Sequence, residues 1–273
     1  MNTFKKTTLA LAISALAGGA MAQSAPAPAP ETSPITANVT LVNDYRFRGI
    51  TQTNYQPAIQ GGFDYAHESG LYIGNWNSTI NWVQNTTLGG VNAPLEMNFY
   101  GGFKKDLIAK GFASDFGVLQ YYYPQYGTNY NAQMVNPNTT EIYAAQNYTF
   151  GPVTGFGKVS YGLTNIFGIP NSTGSYYLDL TSNLDTGFWG VSVNGHIGYQ
   201  YVAGQPVTGP VPTTGVLSYT DWKLGLTKDF GGGLALSASY VSTNANPGWW
   251  NTWNGNKGGA GRGGAVVALT KTF

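Results

Sequence analysis

Asp44, Arg46 and Arg48 stand at alternate positions in one stretch, and Asp64, Glu96, Lys104, Asp115, Glu141, Lys158, Asp179, Asp221 and Lys223 recur singly in other segments rich in apolar residues. Seven acids and five bases placed in this way can pair into a structural network, or they can line a passage whose narrowest point selects solutes by charge. Asp44, Arg46 and Arg48 are the candidates for that narrow point, with Asp64, Glu96, Glu141, Asp221 and Lys223 as further lining residues. Hydrolysis is the other chemistry to weigh, because a nucleophilic site needs a base positioned beside Ser or Thr. The chain has two histidines, His67 and His196, and no cysteine. His196 shares its face with Ser192, Asn194 and Gln200, which suits a hydrogen-bonding role better than that of a base. No metal-ligand spacing stands out, so no catalytic residue, metal or cofactor is expected. Trp249, Trp250 and Trp253, set among Asn and Gly, could rest at a membrane interface or stack on sugar or lipopolysaccharide.

The elements that must carry these residues alternate with a period of two. In residues 35–49, Ile35, Ala37, Val39, Leu41, Tyr45 and Phe47 are separated by Thr36, Asn38, Thr40, Asp44, Arg46 and Arg48, the signature of a strand with one oily and one wet face. The same pattern returns in residues 57–67, 71–83, 95–104, 112–123, 139–150, 153–167, 175–183, 188–202, 219–230, 234–242 and 264–273. In residues 71–83 it places Tyr72, Trp76, Ile80 and Trp82 opposite Asn75, Asn77, Thr79 and Asn81. The fifth strand alternates least cleanly, and a bulge is expected beside Gln120. Connections alternate between short and long, among them the long loop 124–138.

Twelve antiparallel strands with this loop asymmetry predict an all-β transmembrane barrel of the outer-membrane type, short turns in the periplasm and long loops outside. Composition agrees: only 9% of residues are charged where about 25% is usual in soluble domains. Aromatics make up 14%, with 19 Tyr, and Tyr and Trp favour membrane interfaces. Residues 1–22, with Lys5 and Lys6, a short apolar run and Ala20-Met21-Ala22, read as a cleaved export signal. Residues 23–34, rich in Ala and Pro, form a periplasmic leader, and residues 35–273 the barrel. Without Lys5 and Lys6 the formal charge is −1, which disfavours nucleic acid as a partner. Expected partners are membrane lipid, lipopolysaccharide and, through the last strand ending in Phe273, the barrel assembly machinery.

Three stretches resemble the TorF-type porins of proteobacteria: residues 44–53 (DYRFRGITQT), 60–72 (QGGFDYAHESGLY) and 96–103 (EMNFYGGF). Shorter similar pieces at 140–143, 219–222 and 271–273 extend the likeness over the mature chain. The resemblance implies an outer-membrane porin but brings no solute and no catalytic residue. Twelve strands about 4.8 Å apart and tilted about 40° give a backbone diameter of roughly 24 Å, narrowed by side chains to roughly 10 Å or less. Inward Gly62, Gly102, Gly190 and Gly198 are expected to leave room within it. The expected function is passive diffusion of small polar solutes; the alternative is a plugged structural or surface-binding barrel without transport.

Overall fold

A computed structural model describes residues 34–83, 92–125, 135–204, 216–254 and 259–273. The export signal, all but Pro34 of the leader and the middle of the loop 124–138 lie outside them. The strands are β1 (Ile35–Val42), β2 (Arg46–Phe47), β3 (Ile50–Thr51), β4 (Ala58–Ala66), β5 (Leu71–Thr79), β6 (Leu95–Ala109), β7 (Phe112–Tyr122) and β8 (Thr139–Phe150). They continue with β9 (Val153–Gly162), β10 (Tyr176–Asp185), β11 (Val191–Tyr201), β12 (Tyr219–Asp229), β13 (Leu234–Thr243) and β14 (Gly264–Thr272), and one helix, α1 (Pro247–Asn254), precedes β14. All but β2 and β3 form a closed barrel of twelve antiparallel strands. β1 closes it, pairing with β4 from Ile35↔Tyr65 to Val42↔Ala58 and with β14 from Asn38↔Thr272 to Val42↔Ala268.

The outward face is apolar along the strands. Ile59, Ile73 and Leu224 are 58–62% exposed, which costs nothing against lipid but would be an aggregation surface in water. Aromatic rings rim this face at both ends: Tyr122, Tyr161, Tyr199, Trp222 and Tyr240 toward the long loops, and Phe150, Phe188, Trp189, Phe230 and Phe273 toward the short turns. Aromatic rings at both borders of an apolar band match the girdles of membrane barrels. Lys271, on the outward face, turns its ammonium to the Gly232 carbonyl at the short-turn rim, so its charge leaves the apolar band.

The first strand is shorter than its alternation suggests. Asn43 Nδ2 donates to the Ala265 carbonyl (3.2 Å) and its Oδ1 accepts from Val267 N (2.7 Å), so a side chain completes the ladder with β14. The backbone is then free to leave the sheet. Residues 43–57 turn into the barrel, where β2 and β3 pair Arg46↔Thr51 and Phe47↔Ile50. Tyr45 and Phe47, expected to face lipid, are 2% and 9% exposed inside the lumen.

Other expectations are corrected by the same inward fold. Tyr72 and Trp76 point into the lumen while Leu71 and Ile73 face out, because the inward segment gives the aromatic rings an apolar surface to pack on. Tyr121, Tyr123 and Trp82 join that core, and only Tyr122 reaches the outer belt. The pairing of β6 with β7 is continuous through Phe99↔Gln120, and the irregularity falls between Asp106 and Ala109, at the short-turn end. Gly102 and Gly198 are occupied, not vacant. The Tyr72 ring lies over Gly102 and the Tyr177 ring over Gly198, each so close that a Cβ would collide with it.

Candidate functional site: the hairpin across the lumen

The inward hairpin is built on a two-residue turn. Arg48 (φ 47°) and Gly49 (φ 79°) both take the left-handed conformation between the paired Phe47 and Ile50, the pattern of a tight I′ turn. For an arginine that conformation costs about 1–3 kcal/mol, so surrounding contacts must hold it. They do: Arg48 Nη2 donates to Glu141 Oε2 on β8 (2.7 Å) and Nη1 to Gln200 Oε1 on β11 (2.7 Å). Its guanidinium also lies 4.3 Å from the Tyr177 ring centre on β10 and 4.8 Å from that of Phe47. Since β8, β10 and β11 stand across the barrel from β1, these contacts bridge the lumen. Burial alone would favour neutral Arg48, but the Glu141 carboxylate outweighs it and holds the proton more tightly than in water.

The rest of the hairpin is fastened near its root. Arg46 Nε donates to Asp44 Oδ2 (2.5 Å), and Asp44 Oδ1 accepts from Thr51 Oγ1 (2.6 Å). Asn81 N donates to the Gln52 carbonyl (3.0 Å) and Asn81 Nδ2 to that of Thr53 (2.7 Å). Tyr45 packs edge-on against Trp76, with centroids 5.4 Å apart, and donates to Glu96 Oε1 (3.1 Å). Phe47 contacts Tyr121 and Phe167 in the same way, at 5.6 and 5.2 Å. At the tip, a Cβ on Gly49 would lie 2.6 Å from the Asp221 Cβ on β12 and 3.3 Å from the Thr243 Cβ on β13, so the turn abuts that side of the wall.

Two cavities lie beside the hairpin. On the long-loop side is an apolar one, lined by Phe47, Ile50, Ile166, Ile169 and Trp250 among others. The other is larger, is lined mainly by polar and charged residues, and extends toward the short-turn end. Arg46 to Gly49 border it, and Lys158, Asp179, Asn183, Asn194, His196, Asp221 and Lys223 line its walls. Within it His196 stands between two carboxylates, with Nδ1 3.0 Å from Asp179 Oδ1 and Nε2 2.8 Å from Asp221 Oδ1. Both contacts are hydrogen bonds only when both nitrogens carry protons, which suits a structural clamp and not a base.

The residues singled out in the sequence are therefore divided. Asp44, Arg46 and Arg48 belong to the hairpin, as the Arg48–Glu141 and Arg46–Asp44 pairs show. His196, Asp221 and Lys223 share the polar cavity. Glu96 and Asp64 lie apart from it on the packed wall, where Glu96 accepts from Tyr45, Tyr123 (3.4 Å) and Asn98 (2.7 Å), and Asp64 from Tyr100 (2.5 Å). Trp250 turns inward against Tyr219, with centroids 5.1 Å apart, and with Trp249 packs on Ile166, Ile169, Val202 and Leu217. Trp250 lines the apolar cavity, and neither ring joins the girdle or stands clear on the surface. The Trp253 side chain lies outside the described residues. Tyr45, Phe47, Tyr177 and Gln200 were missed as site residues. The detectable signal was Gly49, a turn residue set directly after the alternation of residues 35–48.

The chain belongs to a family of bacterial proteins of unknown function, Gcw_chp, whose model matches residues 25–273. Among curated proteins, no sequence matches. Solved structures resemble it in fold. One, from work on the mechanism of in-meso crystallization of membrane proteins, is 7% identical, with TM-score 0.50, and the match covers 88% of this chain and 83% of that one. The KdgM porin is 7% identical with TM-score 0.49, covering 88% and 98%. LpxR from Salmonella typhimurium is 10% identical with TM-score 0.44, covering 87% and 99%.

Proposed function

We propose that this protein resides in the bacterial outer membrane, exported by residues 1–22, and is a narrow channel for passive diffusion of small polar solutes. Its constriction is the hairpin 46–51. The observation that carries this reading is the Arg48 side chain, which spans from the first loop to Glu141 and Gln200 on the opposite wall directly above a polar cavity. A barrel that served only as a scaffold could fill both sides of such a strut with apolar residues. The apolar outer band with its two aromatic rims supports the membrane assignment, and the resemblance of residues 44–53 to TorF-type porins supports the porin assignment. Lipid and lipopolysaccharide would contact the outer face, and the assembly machinery would receive β14 with Phe273. No catalytic role is proposed for His196 or any other residue.

A second reading, a plugged barrel without transport, is favoured by one fact: the Arg48 side chain is only 6% exposed. Planar-bilayer recording of the refolded chain 23–273 separates the two. Small discrete conductance steps are expected of the channel. Their absence, with circular dichroism showing an intact barrel, would establish the plug instead.

A further inference from the structure

The cations that line the polar cavity outnumber its carboxylates: Arg46, Arg48, Lys158 and Lys223 stand against Asp179 and Asp221. Of the charged groups that line it, Arg46 is paired with Asp44 and Arg48 with Glu141. Both carboxylates are occupied as well: besides His196, Asp179 Oδ1 accepts from Thr181 Oγ1 (2.9 Å) and Asp221 Oδ2 from the Tyr177 hydroxyl (2.9 Å). Lys158 differs from all of these. It lines the cavity from β9, and among the described residues no carboxylate lies within 4.0 Å of its ammonium. Its nearest described aromatic rings are those of Phe156 and Tyr143, with centroids 5.7 and 5.8 Å away. Lys223 lines the same cavity from β12, with β10 and β11 between the two.

Asp179 stands opposite Lys158 on the neighbouring strand and attracts it without touching it, so the hydrogen bonds of the ammonium are left for water or a ligand to complete. We propose that this cavity binds small organic anions, with a carboxylate seated on Lys158, Lys223 facing it across the cavity, and the amide nitrogen of Asn183, whose oxygen is held by Asn194, turned to the remainder of the solute. A simple count of inward charges, seven acids to five bases, suggests the opposite preference. That count runs over the whole lumen, and three of its acids do not line this cavity: Asp64 lies against Tyr100, Glu96 against Tyr45 and Tyr123, and Asp115 against Tyr72 (2.6 Å).

The site deepens the channel reading, on which permeation rests, but binding can be measured without it. Succinate is titrated calorimetrically into the detergent-solubilised full barrel, and the reversal potential is recorded across a potassium chloride gradient. Saturable succinate binding is expected, weakened about tenfold in Lys158→Gln, the loss of one charged hydrogen bond, and unchanged in Lys105→Gln, whose lysine does not line the cavity. Chloride should permeate faster than potassium, with the preference falling in Lys158→Gln. Binding lost in Lys158→Gln in a barrel that shows no conductance would uphold the site and remove the channel. No succinate binding to the wild-type barrel, or equal binding in Lys158→Gln, would overturn the site, whatever the conductance.

Discussion

On the wall from β4 to β8 each inward carboxylate accepts a bond from a tyrosine: Asp64 from Tyr100, Glu96 from Tyr45 and Tyr123, Asp115 from Tyr72 and Glu141 from Tyr121. The rings behind those hydroxyls fill the space between the wall and the inward segment, with Trp76 and Leu119 among them. On the wall from β9 to β13 the carboxylates meet His196, and the facing lysines and amides border open volume. Both walls alternate in the same way and both carry inward acids, so alternation does not separate them. What separates them is which side the first loop leans on. The hairpin turns one half of the lumen into a protein core and leaves the other half wet.

That contrast can be broken from either wall. The largest effect is expected from Trp76→Ala, which empties a packed site 5% exposed and should cost about 3–5 kcal/mol, read as a lower midpoint of thermal or urea unfolding. Arg48→Ala should cost about 3 kcal/mol, since it strands Glu141 in the interior, and should raise single-channel conductance; adding Glu141→Ala should recover part of the stability and keep the higher conductance. Tyr100→Phe removes one donor from Asp64 and should cost about 1–2 kcal/mol with conductance unchanged, because that wall borders no passage. Asn183→Ala, on the wet wall, should move the midpoint by no more than about 0.5–1 kcal/mol, and if it moved it as far as Trp76→Ala the two walls would not differ as described.

The twelve strands were legible because lipid on one side and lumen on the other enforce a period of two over the whole chain, and every charged strand residue named for the lumen faces it. The hairpin was not legible, for a physical reason: Tyr45 and Phe47 continue the alternation of β1 although the backbone has already left the sheet. A strand against lipid and a strand against a filled lumen need the same residue types. The Arg48-Gly49 turn is also a weak signal, since two-residue I′ turns are marked most clearly by Asn-Gly or Asp-Gly. Tyr72 and Trp76 misled by the same logic, because an aromatic face points to lipid only when the interior is wet. Trp249 and Trp250 sit on α1 in a connection where the period of two reports no direction, and the buried cluster of Ile166, Ile169, Val202 and Leu217 is what they turn toward.

The most direct measurement is the conductance of the barrel with residues 44–53 replaced by a two-residue turn, recorded beside the unaltered chain in planar bilayers. If the hairpin is the constriction, the shortened chain gives steps several-fold larger and loses the ion preference set beneath Arg48. Equal step sizes in the two chains would contradict that assignment and place the limiting barrier elsewhere in the lumen.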